Sequence, residues 1–280
     1  MTGVARGISG TDCSAAGAAA NVRALLACGL ACHREGRLAD AEHCYEKVLW
    51  LHPSHFDALH MLGVVAIQNG RFTRAIELIT SAVRQTPSVA AAHRNLVLAL
   101  LKRGQREDAV SSYRRAIALQ PDVVDAYLSL AGVLNDLARP QEALATCERA
   151  IALRPLDPVA HLTKAVALRL LERPEDVLES CDTAIRLNPR YVEGWDKRGA
   201  ALQDLNRPEE ALQSCETAIA LQRDFAPAYA QAGKVCLQMG QFADAGARRL
   251  PLVSQSPPIS AETSRRLGRP LRYYAGEITR

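Results

Sequence analysis

The sequence predicts an all-α protein built as a solenoid of stacked helix-turn-helix units. Alanine and leucine, which favour helices, recur along the 280-residue chain, whereas aromatic residues make up only 5% of it. Prolines recur at a constant step of 34 residues, each just after an apolar stretch, as Pro53, Pro87, Pro121, Pro155 and Pro189. Because a fixed period of this length is the signature of a repeat protein, it decides the fold class.

The prolines divide the chain into six full units and a partial seventh. The full units are 22–55, 56–89, 90–123, 124–157, 158–191 and 192–225, and the partial unit is 226–245. In the seventh unit, Arg248, Arg249 and Pro251 fall where a second helix should be apolar and unbroken. Proline inside a helix costs about 3 kcal/mol, so this helix is expected to stop near Leu250.

Small residues hold the same place in successive units. The eighth place is glycine or alanine except at Val97, and its small members are Gly29, Gly63, Ala131, Ala165, Gly199 and Gly233. The twentieth place is alanine in every unit but the fifth, which has Val177. The turn between the helices carries Gly36, Gly70, Gly104 and Gly240, with Asn206 in the sixth unit. Two amphipathic helices that meet at small side chains can pack closely, and their remaining apolar faces require stacking of successive units.

This spacing, the small residues and the prolines resemble the tetratricopeptide repeat family over roughly residues 22–239. The stretch YVEGWDKRGAALQDLNRPEEALQSCETAIAL, residues 191–221, is similar to a typical member of that family. The resemblance implies a right-handed superhelix whose concave wall comes from the first helix of each unit. It also implies binding of peptides or extended protein segments.

By analogy with the family, the second, fifth, sixth, ninth, twelfth and thirteenth places face a ligand in the concave groove. The candidate peptide-binding residues at these places are His60, Arg94, Asn95, Lys102, Asn135, Arg169, Lys197, Gln203 and Lys234. They are interleaved with Val64, Leu98 and Leu101. Cations and amides on one wall could bind carboxylates and peptide backbone, and the alternative is that each is a solvated helix face.

The function predicted from these features is a scaffold for protein–protein interaction, without catalysis. A clamp for a chaperone's terminal carboxylate is not supported, because Asn95 is preceded by His60 and Val64 and followed by Asp125 and Ser129. The alternative is a repeat arm related to, or truncated from, an O-linked N-acetylglucosamine transferase. The asparagine ladder of such arms is largely missing at the sixth place, where only Asn95 remains.

The eight cysteines and seven histidines invite a metal or thiol hypothesis. Cys28 and Cys32 lie four residues apart, near His33, a spacing that could bind a metal. The repeat register offers a simpler interpretation, in which Cys28, Cys32, Cys147, Cys181, Cys215 and Cys236 all occupy places that bury apolar side chains. His93 and His161 hold the fourth place, where packing at a unit interface is expected. We therefore predict reduced thiols, no metal and no cofactor.

The ends of the chain lack the repeat. Residues 1–21 are small and polar and are predicted to be a flexible segment; they show no secretion signal, and no membrane-spanning stretch occurs in the chain. The tail, 246–280, holds seven arginines and two glutamates, a net charge of +5, while the whole chain carries +4. We expect the tail to be disordered, with weak contact to nucleic acid as the alternative. These features together predict a cytoplasmic protein.

Overall fold

The computed structural model describes residues 10–240, with side chains from residue 19 onward, and this part of the chain forms α-helices without strands. The helices are α1 (Gly10–Arg34), α2 (Leu38–Leu51), α3 (Phe56–Gln68), α4 (Phe72–Gln85), α5 (Ala90–Lys102), α6 (Arg106–Leu119), α7 (Val124–Asp136), α8 (Pro140–Leu153), α9 (Pro158–Leu170), α10 (Pro174–Leu187), α11 (Val192–Asp204), α12 (Pro208–Leu221) and α13 (Ala226–Gln238). The predicted all-α repeat solenoid is confirmed. The basic tail and the second half of the seventh unit lie outside the described residues.

Each odd-numbered helix from α3 to α13 begins at the first residue of a unit defined by the prolines. The first helix differs, because α1 starts at Gly10 and so includes residues 10–21, which the sequence had suggested to be flexible. The run AAGAAA at 15–20 favours this helix, since alanine has the highest helix propensity. No helix within the described residues is both long and apolar enough to cross a membrane.

Helices pair within each unit and stack between units. The first and second helices of a unit contact each other along their length, and each second helix contacts the first helix of the next unit. The core is consequently a row of small clusters; in one of them Ala143 and Cys147 of the fourth unit pack with Ala167 of the fifth. Each cluster joins a unit to its neighbour, so stability is shared along the array.

The small residues at the eighth place lie directly against the second helix. A Cβ atom added at Gly63 would stand 2.4 Å from Cγ1 of Ile79, and one added at Gly29 would stand 2.6 Å from Cε1 of Tyr45. At Gly199 the added atom would be 3.1 Å from Sγ of Cys215. The close approach inferred from sequence is therefore real, and it is tightest where the twenty-fourth place holds a large side chain.

The turn inside each unit ends the first helix with a left-handed residue at the fifteenth place. Gly36, Gly70 and Gly104 have φ between 72° and 75°, and the next residue donates its N–H to the carbonyl at the eleventh place, as Arg71 does to Ala66 at 2.8 Å. The fourth and fifth units place Ala138 (φ 54°) and Glu172 (φ 55°) there instead. The turn geometry therefore persists in two units without a residue that favours it.

Candidate functional site

The first helices α1, α3, α5, α7, α9, α11 and α13 form what we call the first-helix wall, and this wall carries the candidate binding residues. Neighbouring helices of the wall are joined by polar side-chain contacts. These are His33 Nε2 with Gln68 Oε1 at 2.8 Å, His60 Nε2 with Asn95 Nδ2 at 2.9 Å, Asn135 Nδ2 with the Thr163 carbonyl at 3.5 Å, Arg169 Nε with Asp204 Oδ2 at 3.7 Å, and Gln231 Nε2 with Gln203 Oε1 at 2.5 Å. Most of the predicted binding residues thus hold the wall together.

The structure brings His60 and Asn95 together across α3 and α5. An amide nitrogen can only donate a hydrogen bond, so Nε2 of His60 accepts it and the imidazole is neutral. Burial lowers the pKa of His60, and the nearby Asp57 carboxylate opposes this shift. The ring also lies 5.6 Å from the ring of Phe56.

Two of the predicted binding residues, Arg94 and Lys197, are bonded to residues other than those of the neighbouring wall helices. Arg94 donates from Nη1 to Oε1 of Gln120 at 2.5 Å, at the end of α6. Lys197 pairs with the adjacent Asp196 at 3.0 Å, and Asp196 is buried. An incoming carboxylate would have to displace these partners.

Lys102 and Lys234 are exposed and form no ion pair with another described residue. Lys102 lies at the end of α5, and Leu98, one turn earlier, is 45% exposed. A lysine beside an exposed leucine presents an apolar surface and a positive charge together.

The wall is interrupted between α5 and α7. No Cα atom of α5 lies within 8 Å of a Cα atom of α7, whereas such approaches occur in every other neighbouring pair of the wall. Within the described residues, no side-chain hydrogen bond or ion pair joins α5 to α7 either. We call this interruption the central cleft; the repeat register places Leu98 and Lys102 of α5 and Ser129 and Gly132 of α7 on the groove side beside it.

Tyr113 of α6 lies at the junction of the third and fourth units, beside the central cleft. Its ring packs against the core clusters of both the third and the fourth unit, and its side chain lies near Ser129 of α7. Burial raises the pKa of Tyr113, and the nearby Ser129 side chain opposes this shift. On the α7 side, a Cβ added at Gly132 would meet nothing within 4 Å.

Sequence reasoning missed Tyr113, Ser129 and Gly132, although one signal was present. Val97 is the only large residue at the eighth place, and Tyr113 holds the twenty-fourth place of the same unit. In other units the eighth place leaves room for the residue at the twenty-fourth, as Gly29 does for the fully buried Tyr45. Val97 fills that room in the third unit, and Tyr113 is only partly buried.

The fourth-place residues have a polar role that the packing hypothesis did not include. From the third unit onward each donates a hydrogen bond to the carbonyl six residues earlier, at the junction between units. The bonds are His93 to Pro87, Tyr127 to Pro121, His161 to Pro155, Trp195 to Pro189 and Tyr229 to Arg223, at 2.9 to 3.0 Å. Since a carbonyl only accepts, His93 and His161 carry a proton on Nε2.

The cysteines are buried at the twenty-fourth place, where Cys147, Cys181 and Cys215 have no exposed surface. Burial raises the pKa of each of these three thiols to about 12. Cys28 is exposed, so the expectation that the seventh place buries it is wrong. Among the described side chains, no group of three His, Cys, Asp or Glu residues is placed to hold a metal ion.

Family models match three parts of the chain. Two are described as tetratricopeptide repeat and match residues 94–158 and 192–225, and one is described as bacterial transcriptional activator domain and matches residues 5–120. The search of curated proteins finds no match. The matched families name no glycosyltransferase, and the predicted transferase arm gains no support from them.

Solved structures with a similar fold include proteins described as tetratricopeptide repeat proteins. A tetratricopeptide repeat protein from Parabacteroides merdae ATCC 43184 has a TM-score of 0.63 at 16% identity and covers 88% of this chain and 97% of its own. YrrB, described as a TPR protein with an unusual peptide-binding site, has a TM-score of 0.56 at 18% identity, over 66% of this chain and 95% of its own. MamA has a TM-score of 0.57 at 22% identity, over 62% of this chain and 94% of its own.

Fold and wall together define an α-helical repeat solenoid of the kind that serves as a protein-interaction scaffold. The chain contains tetratricopeptide repeats.

Proposed function

We propose that the protein is a non-catalytic scaffold that binds an extended segment of another protein along the first-helix wall, with the central cleft as the main contact. The observation that carries this proposal is the interruption of the wall between α5 and α7. Everywhere else the wall side chains bond to each other across neighbouring helices. Among the described residues no such bond joins α5 to α7 across the central cleft, and Lys102 beside it has no ion-pair partner.

The side chains around the cleft favour a particular kind of ligand. Leu98 offers exposed apolar surface, and Gly132 leaves space where other units have a side chain at the ninth place. Lys102 adds one positive charge at the same end of α5. We infer that the preferred segment places an apolar side chain over Gly132 and a carboxylate near Lys102.

The other candidate residues take a secondary part in this proposal. Asn95, Asn135 and Gln203 keep amide groups on the wall that can exchange an internal hydrogen bond for one to peptide backbone. Arg94, Arg169 and Lys197 are engaged with Gln120, Asp204 and Asp196, and a ligand carboxylate would compete with those partners. His60 and Lys234 lie on the wall on either side of the cleft, farther from its centre.

The test is selection of displayed peptides on the full chain, followed by affinity measurements with the selected peptides. Gly132→Leu should fill the open space and weaken binding by about tenfold or more, and Lys102→Ala should weaken acidic peptides selectively. Arg94→Ala and Lys197→Ala should produce smaller losses, because both side chains already have partners. Arg115→Ala is the matched control, since this exposed arginine lies on α6 away from the wall. Unchanged affinity for Gly132→Leu would reject the central cleft, and loss of affinity with Arg115→Ala would point to another surface.

A further inference from the structure

The first unit contains a pair of cysteines that no other unit has. Sγ of Cys44, on α2, lies 3.3 Å from Sγ of Cys28, on α1. The two residues hold the seventh and twenty-third places, which face each other in other units too; in the sixth unit Arg198 and Ser214 hold them and are hydrogen bonded at 2.7 Å. In the intervening units these two places carry Leu62 and Leu78, Leu96 and Ser112, Leu130 and Thr146, and Lys164 and Ser180.

We propose that Cys28 and Cys44 form a redox-active pair, closed to a disulfide by a peroxide. A disulfide bond is about 2.05 Å long, so the two sulfur atoms need to approach by only about 1.3 Å. Cys28 is exposed and reachable by a small oxidant, whereas Cys44 is 9% exposed and lies behind it. This proposal does not depend on the peptide-binding function.

The positions of the two thiols assign their roles. Cys28 meets the oxidant first because it is the exposed member of the pair. Burial raises the pKa of the Cys44 thiol to about 11, which keeps it protonated and makes it the second sulfur to react. Cys32 lies one turn from Cys28 and its thiol is near the pair, but it is 4% exposed and packs in the core with Ala41 and Tyr45, so it is less accessible to an oxidant than Cys28.

The chemistry balances with hydrogen peroxide as the oxidant. The Cys28 sulfur attacks one peroxide oxygen, the O–O bond breaks, and a sulfenic acid and one water form. The Cys44 sulfur then attacks the sulfenic sulfur, its S–O bond breaks, and the departing hydroxyl leaves as a second water with the thiol proton. Two thiols and one peroxide therefore give one disulfide and two waters, and a dithiol reductant reverses the change.

The disulfide would fasten α1 to α2 in the first unit, which among the described residues contacts only the second unit. A cross-link over a loop of this size restricts opening of the hairpin. Amide exchange in α1 should therefore slow by roughly tenfold or more after oxidation.

The test uses the full chain, reduced, freed of reductant, treated with hydrogen peroxide, alkylated and digested with trypsin without reduction. The expected product is one cross-link between the peptides 24–34 and 38–47, with Cys32 alkylated. Cys28→Ser and Cys44→Ser should abolish the cross-link, and the matched control Cys32→Ser should retain it. Cys44→Ala provides a second variant if serine at this buried position prevents folding, as judged by helical circular dichroism.

Other results would overturn the proposal. These are a disulfide from Cys28 to Cys32 or to Cys13, a dimer linked through Cys28, and stable sulfinic acid at Cys28 with Cys44 still alkylated. Persistence of the 24–34 to 38–47 cross-link in Cys28→Ser would assign it to Cys32 and would also overturn the pair. Unchanged amide exchange in α1 after complete cross-linking would reject the proposed restriction of the hairpin.

Discussion

Single side chains in this protein join neighbouring units as well as filling the core. His60 is the clearest case, because its neutral ring accepts a hydrogen bond from Asn95 in the next unit. Burial lowers its pKa in the folded protein relative to the unfolded chain, where histidine titrates near 6.5. In the window below about pH 6.5 the unfolded state therefore binds more protons than the folded state, and stability falls as the pH is lowered.

We predict that His60→Gln reduces this acid sensitivity. Urea unfolding at pH 7.5 and pH 5 should show a smaller loss of stability for the variant than for the wild type, because glutamine does not titrate. The ring of His60, followed by NMR, should titrate below its ordinary value. Equal losses in the two proteins would show that His60 is not the responsible group.

The fourth-place hydrogen bonds show what sequence could and could not reveal at this scale. The place was correctly assigned to a unit interface, and His93 and Tyr127 are indeed buried there. The acceptors of these hydrogen bonds are backbone carbonyls. Because every residue has one, no pattern of residue types predicts the bonds. Likewise, Cys28 occupies a place that is buried in some units, but among the described residues α1 packs only against α2 and α3, and Cys28 stays exposed.

At the scale of the helical pair, close packing rests on residues with almost no side chain. Ala143 of α8 is fully buried against its neighbours. Ala143→Trp should overfill this contact and lower the free energy of unfolding by about 1–3 kcal/mol. Ala145→Trp, on the exposed side of the same helix, is the control. Equal unfolding midpoints for the two variants would refute the packing register.

In the turn between paired helices, a single substitution is expected to raise the stability of the protein. Glu172 has a φ of 55°, a conformation that costs a residue with a Cβ about 1–2 kcal/mol. Glu172→Gly should remove that strain and add about 0.4–1 kcal/mol of unfolded-chain entropy cost, for a net gain of about 0.5–1 kcal/mol. Thermal unfolding measures it, and Gly104→Ala, the reverse change, should destabilise. A lower midpoint for Glu172→Gly would contradict the argument.

Most helix boundaries could be predicted from the sequence. The starts of α3, α5, α7, α9, α11 and α13 follow from the prolines, since each unit ends in the same turn. The turns at Ala138 and Glu172 could not be predicted from their residue types, because neither favours a left-handed backbone. Flanking helices impose the conformation there, and only the constant repeat length points to it.

Each unit of the array is stabilised by contact with its neighbours. A weak junction between two units therefore reduces the coupling between the parts of the array on either side of it. At the junction of the third and fourth units no Cα atom of α5 lies within 8 Å of one of α7, and the units meet through Val110, Tyr113 and Ile117 of α6 and Leu101 of α5. The sequence predicted the wall but not this interruption, because a family register assumes that every junction is equivalent. The sequence shows that Val97 is the one large residue at the eighth place. Its effect on the junction depends on the position of the Tyr113 ring, which the sequence does not give.

We predict that Tyr113→Ala uncouples the two halves of the array. Native-state hydrogen exchange should then show a larger increase in opening for α5 and α6 than for α11 and α12, because the lost contacts belong to this junction. Tyr113→Phe keeps the ring that packs against both clusters and removes only the hydroxyl, so its effect should be small. A uniform increase along the chain would argue against a special junction.

The interruption at the central cleft also bears on how a bound partner could be sensed. If the repeat units on each side of the central cleft move as rigid bodies, a rotation of a few degrees at the cleft displaces the two ends of the array by several ångströms. A ligand bound at the central cleft would fix the angle between these two bodies. Its binding would therefore change the distance between the ends of the array without changing the structure within either body.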